Sequence, residues 1–251
     1  MSEIEKRLAE SLTADDLEII PHLPYLLQDL WELGASYKDI IELIRKNIIK
    51  YKNFSVLDLA CGKGAVAVML AKNLGVTVKG IDLIPEFIDY AKSKAEEYGV
   101  DGFCSFEVKD INISVLNERD YDIVIFAAAF GVLGDYSKTL KLLARTVKEK
   151  GFVIIDDVIS YDGTLAPTKK QWLKFFDENG LKLIAEKSVN ENELISINRS
   201  NQDYIIQRAE ELSIKYPEKR ELFNDYVERQ QEECQMLESD IVGVTFLLQR
   251  K

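Results

Sequence analysis

Short apolar segments alternate with amphipathic segments from about residue 54 onward, and this alternation restricts the folds open to the chain. Five of the apolar segments are predicted to be strands: residues 55–60, 76–81, 104–108, 121–126 and 151–156. Strands that are apolar throughout are typical of a parallel sheet whose two faces are both covered by helices. Right-handed crossovers then produce a doubly wound α/β sheet, which binds ligands at the carboxyl ends of its strands.

The rest of the sequence predicts helical additions to this core. Residues 1–50 are predicted to form a helical cap, with Leu26, Leu30 and Leu33 at helical spacing before Gly34. Two more strands are predicted, at 181–189 and 241–248. A long helical stretch lies between them, and Pro217 is placed to start its second helix. The predicted domains are therefore a cap (1–50), a core (51–190), an inserted helical segment (191–240) and a final core strand (241–251).

The first predicted strand runs into a turn that contains two glycines. The segment reads Asp58-Leu-Ala60-Cys-Gly62-Lys-Gly64, and a helical pattern follows it. Glycines allow a backbone to approach a ligand closely, and a helix amino terminus offers free N–H groups. Two interpretations remain open, because a tight strand-to-helix turn needs glycine for its geometry alone.

Acidic residues follow the next two predicted strands. Asp82 lies about twenty residues beyond the glycines, where dinucleotide-binding proteins place the acid that accepts hydrogen bonds from a ribose. Asp110 follows the third strand and could accept from an adenine amino group, with Ile111 packed on the ring. Each also has a simpler interpretation, since Asp is common at helix starts and in turns.

In this order, the motifs VLDLACGKG, GID, KDI and YDIVIFAAAFGVLGD resemble those of the class I S-adenosylmethionine-dependent methyltransferases. The resemblance covers residues 51–160 well and extends more loosely to residue 251. It implies a seven-stranded, mostly parallel, Rossmann-like sheet with an antiparallel last strand. The segment LPYLLQDLWELG is also similar to the helical cap of bacterial small-molecule members. The chain departs from the family at Ala60, where glycine is usual.

The resemblance implies S-adenosyl-L-methionine as the cofactor and assigns roles to individual residues. Asp58 orients the turn and the amino end of the methionine moiety, which the backbone of Ala60, Gly62 and Gly64 lines. For the nucleoside and the reacting group, it implies that Asp82 holds the ribose, Leu83 flanks the adenine, Asp110 and Ile111 read the adenine edge, and Ala127 lies near the methyl group.

Candidates for a general base are few. His22 is the sole histidine and lies in the predicted cap, either as a base or acceptor-binding group or as a loop residue beside Pro21. Asp135 follows the fourth strand and is either a base or a helix cap near Ser137. Four aromatic residues of the insert either line an acceptor pocket or form helix contacts: Tyr204, Tyr216, Phe223 and Tyr226.

Charge and composition limit the classes of partner that the chain is expected to bind. The net charge is -11, and the insert holds thirteen Asp and Glu against six Lys and Arg, so a nucleic acid is disfavoured. Residues 126–130 also lack the Asn/Asp-Pro-Pro-aromatic sequence typical of amino-methylating DNA enzymes. Three scattered cysteines and one histidine give no metal spacing, and no signal or membrane segment is found. We expect a cytoplasmic protein with a small-molecule acceptor; the length of the insert would also permit a homodimer.

The sequence is also compatible with two other functions. The spacing Gly62-x-Gly64-x-x-Ala67 followed by Asp82 also fits a nicotinamide-dependent oxidoreductase. Asp58, placed just before the turn, fits the methyltransferase pattern better. The second alternative is a non-catalytic protein that binds the cofactor and meets a partner through its insert.

Overall fold

The computed structural model describes residues 6, 12–14, 16–129 and 131–251. Asp15 and Phe130, which belong to segments considered above, and most of residues 1–11 lie outside this part of the chain. The described residues form a seven-stranded sheet in the order β3-β2-β1-β4-β5-β7-β6. Its strands are β1 (Ser55–Leu59), β2 (Thr77–Asp82), β3 (Cys104–Val108), β4 (Tyr121–Ala127), β5 (Val147–Ser160), β6 (Leu181–Ser188) and β7 (Ile241–Arg250).

Strands β1 to β5 pair in parallel, whereas β7 runs antiparallel between β5 and β6. The predicted fold class, including the antiparallel last strand, is confirmed. The order reverses next to β1, so β1 and β4 diverge at a topological switch point. In such sheets the crevice for ligands opens outside the carboxyl ends of these two strands.

Nine α-helices are found in the described residues. They are α1 (Leu23–Leu26), α2 (Tyr37–Asn47), α3 (Ala65–Leu74), α4 (Pro85–Glu97), α5 (Ile111–Asn117), α6 (Tyr136–Thr146), α7 (Lys169–Glu178), α8 (Glu191–Lys215) and α9 (Arg220–Ser239). Short 3₁₀ helices at Leu17–His22 and Pro217–Lys219 precede α1 and α9. None of these helices combines the length and the apolar character needed to cross a membrane.

The core has three parts. One cluster lies between the sheet and α2, α3 and α4, and a second lies on the opposite face under α5, α6 and α7. The third joins residues 14–30 to the insert helices α8 and α9, with Ile84 and Phe87 at its base. Helix α2 belongs to the first cluster and packs on α3, β6 and β7, although it falls in the segment predicted as cap. We therefore use "cap" for residues 16–36 and "insert" for residues 191–239.

The prediction of a helix over residues 26–33 is wrong. Helix α1 ends at Leu26, and turns follow as far as residue 34. Pro21 lies inside the first 3₁₀ helix and Pro24 in the first turn of α1, where proline is tolerated, so neither ends α1. After Leu26 the chain turns, and the N–H of Leu30 donates to the carbonyl of Leu27 at 3.0 Å. The apolar residues at helical spacing are buried all the same, with Leu26, Leu27 and Leu30 at most 7% exposed.

Candidate active site

The turn after β1 has a backbone that favours glycine. Ala60, Gly62 and Gly64 have φ values of +59°, +51° and +74°. A Cβ on Gly64 would lie 2.6 Å from the Cβ of Ala91, so close packing against α4 also requires glycine there. Ala60 adopts the left-handed conformation despite its side chain, which is where this sequence departs from the family pattern.

Two buried carboxylates stand at the carboxyl ends of β1 and β2. Asp82 accepts the backbone N–H of Gly62 at 2.8 Å and that of Ile84 at 3.0 Å, so it joins the turn to β2. Asp58 is 3% exposed, and its Oδ2 has no hydrogen-bond partner among the described residues. Burial, and then the charge of Asp82, raises the pKa of Asp58 to about 8. An orphaned buried carboxylate of this kind suits a cationic or hydrogen-donating ligand.

The residues predicted to flank an adenine are also at this edge. Burial raises the pKa of Asp82, and Leu83 beside it is half-buried. Asp110 caps α5 by accepting the N–H of Asn112 at 2.8 Å through Oδ1. Ile111 is 5% exposed and packs in the second core cluster, so most of its side chain is occupied by the protein. Asp110 therefore caps α5 through Oδ1. Its Oδ2 is the oxygen that could still accept from an adenine amino group, as predicted.

The cap closes over the same edge at β4. Ala127 ends β4, and the N–H of Ala128 donates to the carbonyl of Asp156 at 3.1 Å. A Cβ on Gly34 would lie 2.5 Å from the Cβ of Ala128, so the end of the cap touches the loop after β4 through backbone. This contact places the cap directly beside the position predicted for the methyl group.

Lys63, inside the glycine turn, ties the turn to the cap and was not predicted. Its ammonium group donates to the carbonyls of Leu27 and of Leu30, the latter at 2.7 Å. The indole N–H of Trp31 returns a hydrogen bond to the Lys63 carbonyl at 3.1 Å. Burial lowers the pKa of Lys63 to about 8. A lysine between two turn glycines was the available signal, because such a turn leaves little room for a solvated side chain.

Two adjoining pockets result. The first, here the turn pocket, is lined by the cap, the turn and the end of β4, namely Trp31, Glu32, Leu33, Ala35, Asp58, Ala60, Cys61, Gly62, Lys63, Ala65, Val66 and Ala127. The second, here the interhelical pocket, lies between the cap and the insert and includes Ala128. The two share Glu32 and Leu33. A separate groove around Asp16 and Asp225 shares only Tyr226 with the interhelical pocket.

The two predicted base candidates lie outside the lining of both pockets. Asp135 is exposed and caps α6 by accepting the N–H of Lys138 at 2.8 Å. His22 packs its ring on Tyr216 and Phe223, with centroids 5.4 and 5.0 Å away. Burial lowers the pKa of His22, and Lys219 and Lys215 act in the same direction. The capping interpretation accounts for the contact of Asp135, whereas His22 ends a 3₁₀ helix and packs on aromatic rings and is not the loop residue that the sequence predicts as its alternative.

Residues 50–240 match the model of a family described as a methyltransferase domain, so the chain belongs to the methyltransferase-domain family. The resemblance seen in its motifs is thereby confirmed. The structure is similar to that of an S-adenosylmethionine-dependent methyltransferase from Thiobacillus denitrificans, crystallised in complex with S-adenosylhomocysteine. The TM-score is 0.76 with 18% identity, over 92% of this chain and 98% of that one.

Two curated relatives are similar in sequence. A ubiquinone biosynthesis O-methyltransferase of Coxiella burnetii is 29% identical over 54% of this chain and 59% of its own length. A ubiquinone/menaquinone biosynthesis C-methyltransferase of Bdellovibrio bacteriovorus is 29% identical over 58% of this chain and 62% of its own. The chain thus spans about three fifths of the length of these relatives.

Proposed function

We propose that this protein transfers the methyl group of S-adenosylmethionine to a small organic molecule. The observation that carries the proposal is the unpartnered, buried Oδ2 of Asp58 at the wall of the turn pocket. A carboxylate there matches the ammonium of a methionine moiety, which supplies both the charge and the donors that Asp58 lacks.

The remaining site residues fit the same ligand. Asp82 lies at the end of β2, where a carboxylate can accept from both hydroxyls of a ribose. The backbone of Ala60, Gly62 and Gly64 would line the methionine moiety, and Ala127 would lie near the methyl group. Leu83 and Asp110 with Ile111 would border the adenine. In the Thiobacillus denitrificans protein, whose fold is similar, S-adenosylhomocysteine is the bound molecule.

When bound, S-adenosylmethionine supplies a methyl group that is already activated as a sulfonium. The protein must therefore mainly hold an acceptor in line with that group and keep water away. The cap serves the second need, because Trp31, Leu33 and Ala35 cover the turn pocket. Glu32 lines both pockets and could take a proton from an acceptor that must lose one.

A small acceptor is favoured by the interhelical pocket. It shares the lining residues Glu32 and Leu33 with the turn pocket and lies between the cap and the insert. The acidic insert disfavours nucleic acid, as the sequence predicts. The two relatives named for quinone biosynthesis agree with a small acceptor. Free cysteines at positions 61, 104 and 234 agree with the predicted cytoplasmic location.

Calorimetric titration of the full chain with S-adenosylmethionine, S-adenosylhomocysteine and NAD tests the proposal. We expect binding of the first two and none of NAD. Tight binding of NAD alone would instead support the oxidoreductase alternative. Transfer of labelled methyl to any member of a small-molecule panel then separates an enzyme from a non-catalytic binding protein.

A further inference from the structure

Among the described residues, the interhelical pocket is lined by apolar residues and by a group of polar side chains without a cation. Its lining contains four amides, two carboxylates and one phenol: Asn198, Asn201, Gln202, Gln230, Glu32, Glu233 and Tyr226. Of the described residues that line it, none is Lys, Arg or His. The wall therefore offers hydrogen bonds and negative charge but no group that would neutralise an anion.

Two polar atoms of this wall are buried without a partner among the described residues, Tyr226 Oη and Gln202 Oε1. Tyr226 is 3% exposed. The amide of Gln202 is fixed, because its Nε2 donates to the carbonyl of Val227 at 3.0 Å, which leaves Oε1 as the free end. An unsatisfied buried polar group destabilises the free protein, so a ligand that satisfies both atoms gains affinity.

Tyr226 and Glu233 both line the interhelical pocket. Burial raises the pKa of Tyr226, and the charge of Glu233 acts in the same direction. Glu233 lines the interhelical pocket and accepts the hydroxyl of Thr13 at its Oε2. Tyr226 lines both the interhelical pocket and the outer groove, whereas Gln202, which carries the second unpartnered atom, lines the interhelical pocket and not the outer groove.

Resting on the proposed function, we propose that the interhelical pocket binds the methyl acceptor and that this acceptor is an uncharged or cationic molecule. It carries an acceptor group for Tyr226 and a donor group for Gln202, and its hydroxyl or amino group faces Glu32. An anion would meet two carboxylates in a partly desolvated pocket with no compensating cation, which is unfavourable.

The electrostatics of Glu32 agree with this assignment. Burial raises the pKa of Glu32, and the charge of Lys38 and a hydrogen bond from the Tyr37 backbone act in the opposite direction. A cation or a hydroxyl donor beside the carboxylate would stabilise its charged form. Glu32 is also the one carboxylate of the pocket that reaches the turn pocket, where the methyl group would arrive.

Fragment binding tests the proposal without turnover. Ligand-observed NMR on the full chain with S-adenosylhomocysteine would use a library of anionic, neutral and cationic fragments, equal in number and matched in size. Every fragment that binds the wild-type chain is measured again in Tyr226→Phe, which removes only the unpartnered hydroxyl, and the charge of each fragment that weakens is recorded. Tyr204→Phe is the matched control, since Tyr204 is 43% exposed on α8 and lines neither pocket.

We expect neutral and cationic hits to weaken about tenfold in Tyr226→Phe, as for the loss of one buried hydrogen bond, and to be unchanged in Tyr204→Phe. Cationic hits should also weaken in Glu32→Gln. A majority of anionic hits, or no hit sensitive to Tyr226→Phe, would overturn the proposal. Failure of the proposed function is a separate result, because the wild-type chain would then not bind S-adenosylhomocysteine at all.

Discussion

The turn pocket and the interhelical pocket meet at Glu32 and Leu33, yet their polar groups are held by different means. Around the turn, carboxylates are held by backbone, as when Asp82 accepts the N–H groups of Gly62 and Ile84. Around the cap and insert, backbone carbonyls also hold Gln202 and Gln230, but other contacts join side chains that are far apart in the chain. Arg208 of the insert, for example, pairs with Asp29 of the cap at 2.6 Å.

This difference agrees with the proposal of a cofactor site at the turn and an acceptor site between the helices. Backbone donors are set by the course of the chain, so many sequences can build the same turn. Side-chain pairs between distant segments can be exchanged one at a time, which lets the acceptor pocket change while the turn stays. Substitutions in each region test whether the two are as distinct as their contacts indicate.

The largest effect is expected at the backbone-held carboxylate. Asp82→Ala should weaken binding of S-adenosylhomocysteine by at least about 100-fold, because two hydrogen bonds to a charged group are lost. Calorimetry on the folded variant measures this. Asp89→Asn, which removes an exposed carboxylate of α4, should leave the affinity unchanged. Equal affinity in Asp82→Ala and wild type would mean that Asp82 serves only the turn.

Much of the turn region could be predicted from sequence, because its signals are local. Apolar strands, glycines and strand-end acids lie within a few residues of one another, and the sheet brings Asp58 and Asp82 to one edge. The cap was harder to predict. Its leucines are buried at helical spacing, but the Leu27 carbonyl accepts the Leu30 N–H in a turn, and the carbonyls of both residues accept the Lys63 ammonium. A contact between residues over thirty positions apart leaves no trace in local periodicity.

The interhelical pocket shows the same limit. Tyr226 and Glu233 lie on α9, Gln202 on α8 and Glu32 in the cap, so no single segment of sequence contains the pattern. The sequence offered Tyr226 either as a pocket residue or as a helix contact. It is 3% exposed with an unpartnered hydroxyl, and only the assembled fold reveals the latter.

The link between the two regions is the next target. Lys63→Met keeps a side chain of similar length but removes the ammonium donor from the carbonyls of Leu27 and Leu30, of which the first keeps the N–H of Leu30. We expect a loss of about 2 kcal/mol in the free energy of unfolding, measured in urea. The control is Lys92→Met, because Lys92 is 52% exposed and pairs only at the surface. Similar losses in both variants would show that Lys63 does not hold the cap.

An effect of intermediate size is expected from the protonation state of Asp58. Its pKa of about 8 keeps it protonated at neutral pH in the free protein, whereas a bound ammonium favours the charged form. Binding of S-adenosylhomocysteine at pH 7 should therefore release close to one proton. Its affinity should rise by up to about tenfold per pH unit between pH 6 and 8.

Calorimetry in buffers with different ionisation enthalpies counts that proton directly. Asp58→Asn should show no release and little pH dependence over the same range. The same shift has a consequence for the free protein, because a carboxyl whose folded pKa is raised loses its contribution to stability as pH rises toward 8. Uptake of a proton on binding would contradict the assignment of Asp58.

A smaller effect is expected at Asp135, the exposed N-cap residue of helix α6. Asp135→Ala should cost about 1 kcal/mol of stability through the lost hydrogen bond to the Lys138 N–H, with no change in S-adenosylhomocysteine affinity. Methyl transfer to any acceptor found should also persist. Activity lost in a folded variant would restore Asp135 as a base, despite its position outside both pockets.

The smallest effect concerns Ala60, the residue that departs from the family pattern. Its φ of +59° favours glycine, so Ala60→Gly relieves steric strain in the folded state. Glycine also gives the unfolded chain more freedom, which offsets part of that gain. We expect a net stabilisation of about 0.5 kcal/mol, seen as a small rise in Tm. A loss of stability would instead mean that packing of the Ala60 Cβ against the second core cluster outweighs the strain, and that the turn depends on side chains after all.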